Sequence, residues 1–264
     1  MEYITWLDRA AEKNPIWFIH TTLKYNGSLQ EVLLQTAAAL DASSKSSLEL
    51  NDLILHPPRI IRACINYKTE NPECEDRNIL VQEATTLGLQ IYQNLSKARS
   101  GIDSLKEKIH FRGYHELLTR ELIQPHDFID HLNPVRSKLS VDQLRSQVKK
   151  EDILFIALAQ GGVAPGMDVF LRYCARSGSN NSVFYPIRFS RTKSGDTTPQ
   201  VSTYEQKYLQ KEGLGRCIVI FDDDVYTWDT MRGARSFLAK NVFSMPEKDI
   251  INQFQAELFV DNLR

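Results

Sequence analysis

The sequence predicts an α/β protein, with a mostly parallel sheet and flanking helices in its C-terminal half and a largely α-helical region before it. Two continuous apolar runs, at 153–159 and 217–221, indicate strands that are buried on both faces. A third strand at 183–189 contains Pro186, which is typical of an edge strand or a bulge. Helical patterns follow both apolar runs, as in sheets whose strands alternate with helices.

The first half of the chain has helical periodicity. Ser28 and Glu31 form a capping box for a helix that extends to about residue 40. Pro57 and Pro58 are expected to start another helix at Arg59. Further helices are expected from about Trp6 until Asn14-Pro15 ends the pattern, at 75–98, at 110–123 and, from a second capping box at Ser140, up to about 149.

The change of pattern near residue 135 predicts two domains. Residues 1–135 form a helical domain of unknown role, and residues 136–264 form the α/β domain. A chain of 264 residues is long enough for one large domain or two ordinary ones.

Composition, charge and cysteine spacing indicate which broad class of protein the chain belongs to. The chain is 42% hydrophobic and 25% charged, as in globular proteins. Its net charge of −1 disfavours a nucleic-acid partner, and no apolar run has membrane-spanning length. The N-terminus lacks a signal-peptide pattern, and the four cysteines have no CxxC spacing, so we expect a cytoplasmic protein with reduced thiols and no membrane partner.

Two glycines and an acidic cluster follow the apolar runs. Gly161 and Gly162 come after the first run and before a helix, where backbone N–H groups can approach an anion. Asp222 and Asp223 end the second run and suit the hydroxyls of a sugar or a cation. The carboxyl ends of strands in an open α/β sheet are where ligands bind. An acidic surface turn after a core strand is the alternative.

Hydroxyl-bearing and basic residues complete the pattern. Thr227 and Thr230 precede a helix from about Met231 and offer a second anion cradle. Arg188, Arg191 and Lys193 begin a polar segment that runs to about residue 200, which is expected to be a mobile loop that closes over a charged ligand. A solvated basic strand end is the alternative. Two anion cradles beside an acidic pair describe the binding of a phosphorylated ribose.

Residues 218–231 resemble the signature of the type I phosphoribosyltransferase family, which has an apolar strand, two acids, two further residues and a loop of Thr-Gly-x-Thr character. Asp222 and Asp223 match the acid pair. The segment Gln160-Gly161-Gly162 is similar to the pyrophosphate loop of the family. The resemblance covers residues from about 140 to 264.

The resemblance implies a glycosyltransferase that binds phosphoribosyl pyrophosphate with Mg²⁺ and transfers the phosphoribosyl group to a nucleobase-like nitrogen acceptor. Asp222 and Asp223 would be catalytic, with Tyr226, and would contact the metal. The residues implied in binding phosphoribosyl pyrophosphate are Gln160, Gly161, Gly162, Arg188, Lys193, Thr227, Trp228, Asp229 and Thr230.

The sequence departs from the family at three positions. Trp228 stands where the family has Gly, and its side chain can swing out, stack on a base or close the pocket. Tyr226 replaces an acid and is a poor general base near neutral pH. Asp224 replaces an apolar residue, and a shift of one residue would make Asp223 and Asp224 the acid pair.

These departures leave a second function open. A catalytically altered relative would sense a nucleotide at the same pocket and act as a regulator. Its helical half would then bind a partner protein or a second copy of the chain.

Overall fold

A computed structural model of the protein describes residues 6–13, 22–42, 47–128, 132–159, 161–189, 195–223 and 228–256. Within these ranges the protein is α/β, with a four-stranded parallel sheet, flanking helices and a separate two-stranded antiparallel sheet. The predicted fold class is therefore confirmed at the level of an α/β protein with a parallel sheet after a largely helical region.

The sheet is built from the four strands of the second half. The strands of the chain are β1 (Thr22–Ser28), β2 (Glu121–Phe128), β3 (Ile153–Ala159), β4 (Val183–Arg188), β5 (Cys217–Asp222) and β6 (Ile250–Phe254). The order in the parallel sheet is β4-β3-β5-β6. Every residue of β3 is buried, which explains its unbroken apolar run. Pro186 lies on β4, an edge strand, as predicted.

Helices surround the sheet and form most of the first half. They are α1 (Trp6–Lys13), α2 (Leu29–Asp41), α3 (Ser47–Glu70), α4 (Glu75–Gln93), α5 (Leu95–Phe111), α6 (His115–Thr119), α7 (Pro134–Gln147), α8 (Val163–Ser177), α9 (Thr203–Gly213) and α10 (Trp228–Phe237). A π-helical turn, Leu238–Phe243, continues α10. None of the described helices is both long enough and apolar enough to cross a membrane.

The prediction that a helix starts at Arg59 is wrong, because α3 runs through Pro57 and Pro58. A proline inside a helix removes the N–H that would bond to the carbonyl four residues earlier. For Pro58 that carbonyl belongs to Ile54, and the hydroxyl of Tyr92 on α4 donates a hydrogen bond to it at 2.7 Å. A tertiary contact thus supplies the donor that the local sequence lacks.

Three other helix predictions need correction. The pattern at 75–98 is interrupted at Asn94, whose side chain accepts a hydrogen bond from the Ser96 N–H and caps α5. The predicted helix at 110–123 is replaced by the end of α5, the short α6 and β2, which pairs with β1. Ser140 caps nothing, because α7 begins at Pro134 with Asn133 as its cap.

The two halves of the chain share one hydrophobic core. Helices α3 and α4 pack against α8, which lies on the sheet. At this junction a Cβ atom on Gly88 of α4 would lie 2.9 Å from Ile61 of α3 and 3.0 Å from Met167 of α8. The close approach of three helices therefore depends on the missing side chain of Gly88.

Two buried polar networks also join the halves. Arg172 of α8 binds Asp168 at 2.9 Å and Asp8 of α1 at 3.1 Å. Lys68 of α3 binds Glu205 of α9 at 2.6 Å, and both side chains are about 1% exposed. Burial raises the pKa of the Asp168 carboxyl, and Arg172 opposes that shift.

Candidate functional site

The predicted glycines and carboxylates meet at one edge of the parallel sheet. After β3 the chain continues to β4 on one side of β3, whereas β5 lies on the other side of β3. The crevice outside the carboxyl ends of two such strands is the usual ligand site of an open α/β sheet. Gly161 and Gly162 follow β3 at this crevice, and Asp222 and Asp223 end β5.

Gly161 and Asp223 are in direct contact. A Cβ atom on Gly161 would lie 2.2 and 2.4 Å from the two carboxylate oxygens of Asp223, closer than real Cβ atoms come. The φ angle of Gly161 is not in the left-handed region, so packing and not backbone conformation requires glycine here. The turn after β3 and the acid after β5 therefore form one structural unit.

Gly162 is held between the two strand ends. Its N–H donates to the Leu158 carbonyl at 3.0 Å, and a Cβ atom here would lie 3.0 Å from the carbonyl oxygens of Leu158 and Phe221. The N–H of Gly162, which the sequence assigned to an anion, is thus engaged within the protein. α8 starts at the next residue, so its positive end faces the crevice.

Asp222 and Asp223 are buried, at 6% and 8% exposed. The interpretation of these two residues as an exposed acidic turn is therefore wrong. Oδ1 of Asp222 accepts a hydrogen bond from the N–H of Asp223 at 3.0 Å. The backbone carbonyl of Asp222 accepts one from Gln255 at 3.1 Å, which fixes the end of β5 beside β6. A carboxylate held out of water is stabilised by hydrogen-bond donors or by positive charge, which the protein or a bound cation can supply.

The carboxylates fit the needs of a substrate-bound Mg²⁺. Among the described residues no group of three or more His, Cys, Asp or Glu side chains could hold a metal ion by itself. Mg²⁺, however, is commonly held by one or two carboxylates together with water and substrate phosphates. Asp222 and Asp223 supply that donor set.

The first residues of α10 point in different directions. Trp228 is 51% exposed and packs edge to face on Phe254, with ring centroids 4.7 Å apart. The side chain of Asp229 is exposed and pairs with Arg232. Thr230 is 5% exposed, so its hydroxyl lies inside the protein. Of these three predicted binding residues, only Trp228 presents a large exposed side chain.

Arg188 ends β4 beside the carboxyl end of β3, where Ala159 is its partner across the ladder. Its guanidinium binds both carboxylate oxygens of Asp196, at 3.4 Å, and the hydroxyl of Thr69 on α3 at 3.2 Å. The side chain is 25% exposed. Arg188 is therefore held in place by the chain, and the interpretation as a solvated basic strand end is wrong for this residue.

Four predicted site residues lie outside the described residues. These are Gln160, Lys193, Tyr226 and Thr227. Arg191 and Asp224 also lie outside them, so the alternative register of the acid pair stays a prediction.

The structure adds three residues that the sequence reasoning missed. Asp196 and Thr69 bind Arg188, and Phe254 packs against Trp228 beside Asp222. Phe254 was expected to begin a last strand, but it ends β6, whose sequence Ile-Ile-Asn-Gln-Phe contains two polar residues and so lacks a clear strand pattern. Thr69 sits on a helix more than a hundred residues away, and no local pattern signals its contact.

Comparison with known proteins gives no relative. No family model, no curated protein and no solved structure matches this chain.

Proposed function

We propose that this protein is a phosphoribosyltransferase-like glycosyltransferase. It binds phosphoribosyl pyrophosphate with Mg²⁺ and transfers the phosphoribosyl group to a nitrogen of a nucleobase-like acceptor. The contact between Gly161 and the Asp223 carboxylate carries the proposal, because it joins the predicted anion loop and the predicted acid pair at the position where open α/β sheets usually bind ligands.

The burial of the acid pair supports a ligand rather than a surface role. A buried carboxylate is costly unless a hydrogen bond or an opposite charge compensates it. Buried charges are weak stabilisers, so the burial of both carboxylates at a crevice fits a binding role better than a purely structural one. Ribose hydroxyls and a hydrated metal ion both provide the donors or charge that these side chains favour.

The proposed reaction replaces one bond at C1 of the ribose. The C1–O bond breaks, the pyrophosphate leaves with the electron pair, and the lone pair of the acceptor nitrogen forms the new C1–N bond. When bound, Mg²⁺ supplies positive charge that stabilises the leaving pyrophosphate. Asp222 and Asp223 would hold the ribose hydroxyls or the water on the metal and so orient C1.

Other residues would position the charged ends of the substrate. The positive end of α8, after Gly162, favours an anionic group beside the acid pair. Arg188, held by Asp196 and Thr69, offers a preorganised positive charge at the neighbouring strand end. The backbone N–H groups at the start of α10, including those of Asp229 and Thr230, would receive the 5-phosphate.

Calorimetric titration with phosphoribosyl pyrophosphate in the presence and absence of Mg²⁺ tests the proposal. We expect Mg²⁺-dependent micromolar binding that is lost in Asp222→Asn/Asp223→Asn. Glu247→Gln/Asp249→Asn is the matched control, because it removes two carboxylates from exposed residues just before β6. Release of pyrophosphate is then measured with a panel of nucleobases. Equal binding by the wild type and the double variant would contradict the proposed site.

A catalytically altered, nucleotide-sensing relative is the second candidate. The contact between Arg188 and Thr69 favours it, since a ligand that displaces this guanidinium changes a contact of α3 in the helical half. Trp228 at the position of the family's Gly favours it too. Binding of phosphoribosyl pyrophosphate without pyrophosphate release with any acceptor would support this candidate over the enzyme.

A further inference from the structure

We infer that the exposed face of Trp228 is the stacking surface for the planar aromatic ring of the ligand. The inference rests on the proposed function and specifies the acceptor class, a planar heteroaromatic base. Trp228 is 51% exposed at the first position of α10, the helix that follows β5 in the chain.

The position of Phe254 places this aromatic pair at the candidate site. Phe254 is the partner of Asp222 in the ladder between β5 and β6, and its ring packs edge to face on Trp228. The two rings therefore stand at the same sheet edge as the buried carboxylates. The contact with Phe254 covers part of the Trp228 indole, and about half of the side chain stays exposed to solvent.

Hydrogen bonds to α7 hold the strand end that carries Phe254 in place. After Phe254, the N–H of Ala256 donates to Ser140 Oγ at 2.8 Å, and its carbonyl accepts from Arg136 Nε at 2.9 Å. Gln253 on the other side of Phe254 donates to Gln143 of the same helix, α7, at 3.2 Å. α7 thus fixes the strand end that carries Phe254, and a preorganised aromatic surface loses little entropy when a ring stacks on it.

Single exposed hydrophobic residues are common on protein surfaces. Trp228 differs from the other large exposed hydrophobic residues of the described chain because it packs on Phe254, the ladder partner of the buried Asp222, at the carboxyl end of the sheet. Phe111, which is 92% exposed, ends α5 in the helical half and has no such neighbours. A nucleotide fits both features, because its base would stack on Trp228 while its ribose hydroxyls bind the carboxylates.

Titration with AMP and with ribose 5-phosphate, both with Mg²⁺, tests the inference. The two probes share the sugar phosphate, and only AMP has an aromatic ring. The full-length protein is labelled with 5-fluorotryptophan, and the Trp228 resonance among the three tryptophans is assigned with Trp228→Phe. We expect AMP to shift this resonance much further than ribose 5-phosphate does, because both place a phosphate near the start of α10 but only AMP stacks a ring on the indole.

The affinities of variants give the second readout. Trp228→Ala should weaken AMP binding about 5- to 100-fold, as expected for loss of base stacking, and ribose 5-phosphate binding less than about twofold. Trp228→Phe should restore most of the affinity for AMP, and Phe111→Ala, the matched control, should change neither affinity. Because Trp228 is half-exposed, its replacement should leave the thermal unfolding transition in place.

The outcomes separate this inference from the proposed function. If both probes bind equally well and Trp228→Ala weakens both equally, Trp228 is no stacking surface, while a sugar-phosphate site that depends on Asp222 still stands. If neither probe nor phosphoribosyl pyrophosphate binds, the proposed function and the inference both fail.

Discussion

At the scale of single residues, Gly161 and Asp223 should be energetically coupled. Gly161→Ala forces a Cβ atom against the Asp223 carboxylate, and we expect the free energy of unfolding to fall by about 1–3 kcal/mol, as in other overpacked sites. In an Asp223→Ala background the same change should cost much less, because the clashing oxygens are gone. Urea denaturation of the two single variants and the double variant measures the coupling.

An equal cost of Gly161→Ala in both backgrounds would contradict this packing. The test needs no ligand, so it examines the geometry of the site independently of its proposed function. Titration of Gly161→Ala with phosphoribosyl pyrophosphate then shows whether displacement of the carboxylate also weakens binding.

His56 should make the protein sensitive to acid. Burial and the Arg59 guanidinium lower the pKa of His56 to about 3, although Asp52 lies 3.3 Å from its Nε2. In the unfolded chain the pKa is about 6.5. Between these values the unfolded state binds a proton that the folded state does not, so stability falls as pH falls, by up to about 1.4 kcal/mol per pH unit from this group.

His56→Gln should reduce this pH dependence. The amide can still accept or donate toward Thr36, whose hydroxyl lies 3.2 Å from His56 Nδ1, but it does not titrate. We expect a shallower loss of stability from pH 7 to pH 5 than in the wild type, measured by urea denaturation. Parallel pH profiles would show that His56 has the same pKa in the folded and the unfolded protein, which would contradict the lowered pKa.

At the scale of elements, sequence patterns predicted the sheet better than the helices. The runs in β3 and β5 are apolar throughout because they are buried on both faces, so a short window contains the needed information. α3 could not be read in this way, because Pro57 and Pro58 are tolerated through a contact with α4. The antiparallel pair of β1 and β2 joins segments that are about ninety residues apart, and no local sequence pattern indicates such a pairing.

Tyr92 should be needed for the continuity of α3. Tyr92→Phe removes the hydroxyl that donates to the Ile54 carbonyl at a position where Pro58 has no N–H. A buried carbonyl without a donor costs about 1–3 kcal/mol, and we expect the free energy of unfolding to fall by that amount. Urea denaturation provides the value, and hydrogen exchange should show faster opening of residues 47–70.

Tyr204→Phe is the control for the removal of a hydroxyl, since Tyr204 is 38% exposed on α9. Its effect should be within about 0.5 kcal/mol, as for surface substitutions. A Tyr92→Phe variant as stable as the wild type would mean that the Ile54 carbonyl finds another donor.

At the scale of the whole molecule, the sequence predicted the edge at which the site residues meet but not their surroundings. Gly161, Asp222 and Asp223 were found because parallel strands bring their carboxyl ends to one edge. The partners of Arg188 were not, because Thr69 comes from a helix of the other half of the chain. The division at residue 135 was drawn from a change in local sequence pattern, and a local pattern carries no information about contacts between distant segments.

The buried pair of Lys68 and Glu205 should couple the stability of the two halves. Glu205 accepts from Lys68 at 2.6 Å and from the hydroxyl of Tyr185 on β4 at 2.9 Å, and Lys68 also donates to the Gln200 carbonyl at 3.2 Å. Removal of one partner leaves an uncompensated buried charge, so Lys68→Met and Glu205→Gln should each lower the free energy of unfolding by about 3–5 kcal/mol. The double variant should lose less than the sum.

Hydrogen exchange followed by mass spectrometry shows where that stability is lost. Because α3 and α9 belong to one core, Lys68→Met should speed exchange in α4 of the helical half and in β3 of the sheet alike. Arg99→Met is the control, since Arg99 pairs with Asp41 at 2.8 Å while both remain exposed, and it should cost less than about 1 kcal/mol. Faster exchange confined to residues before 135 would instead mean that the α/β half holds its structure independently, as two separate domains would.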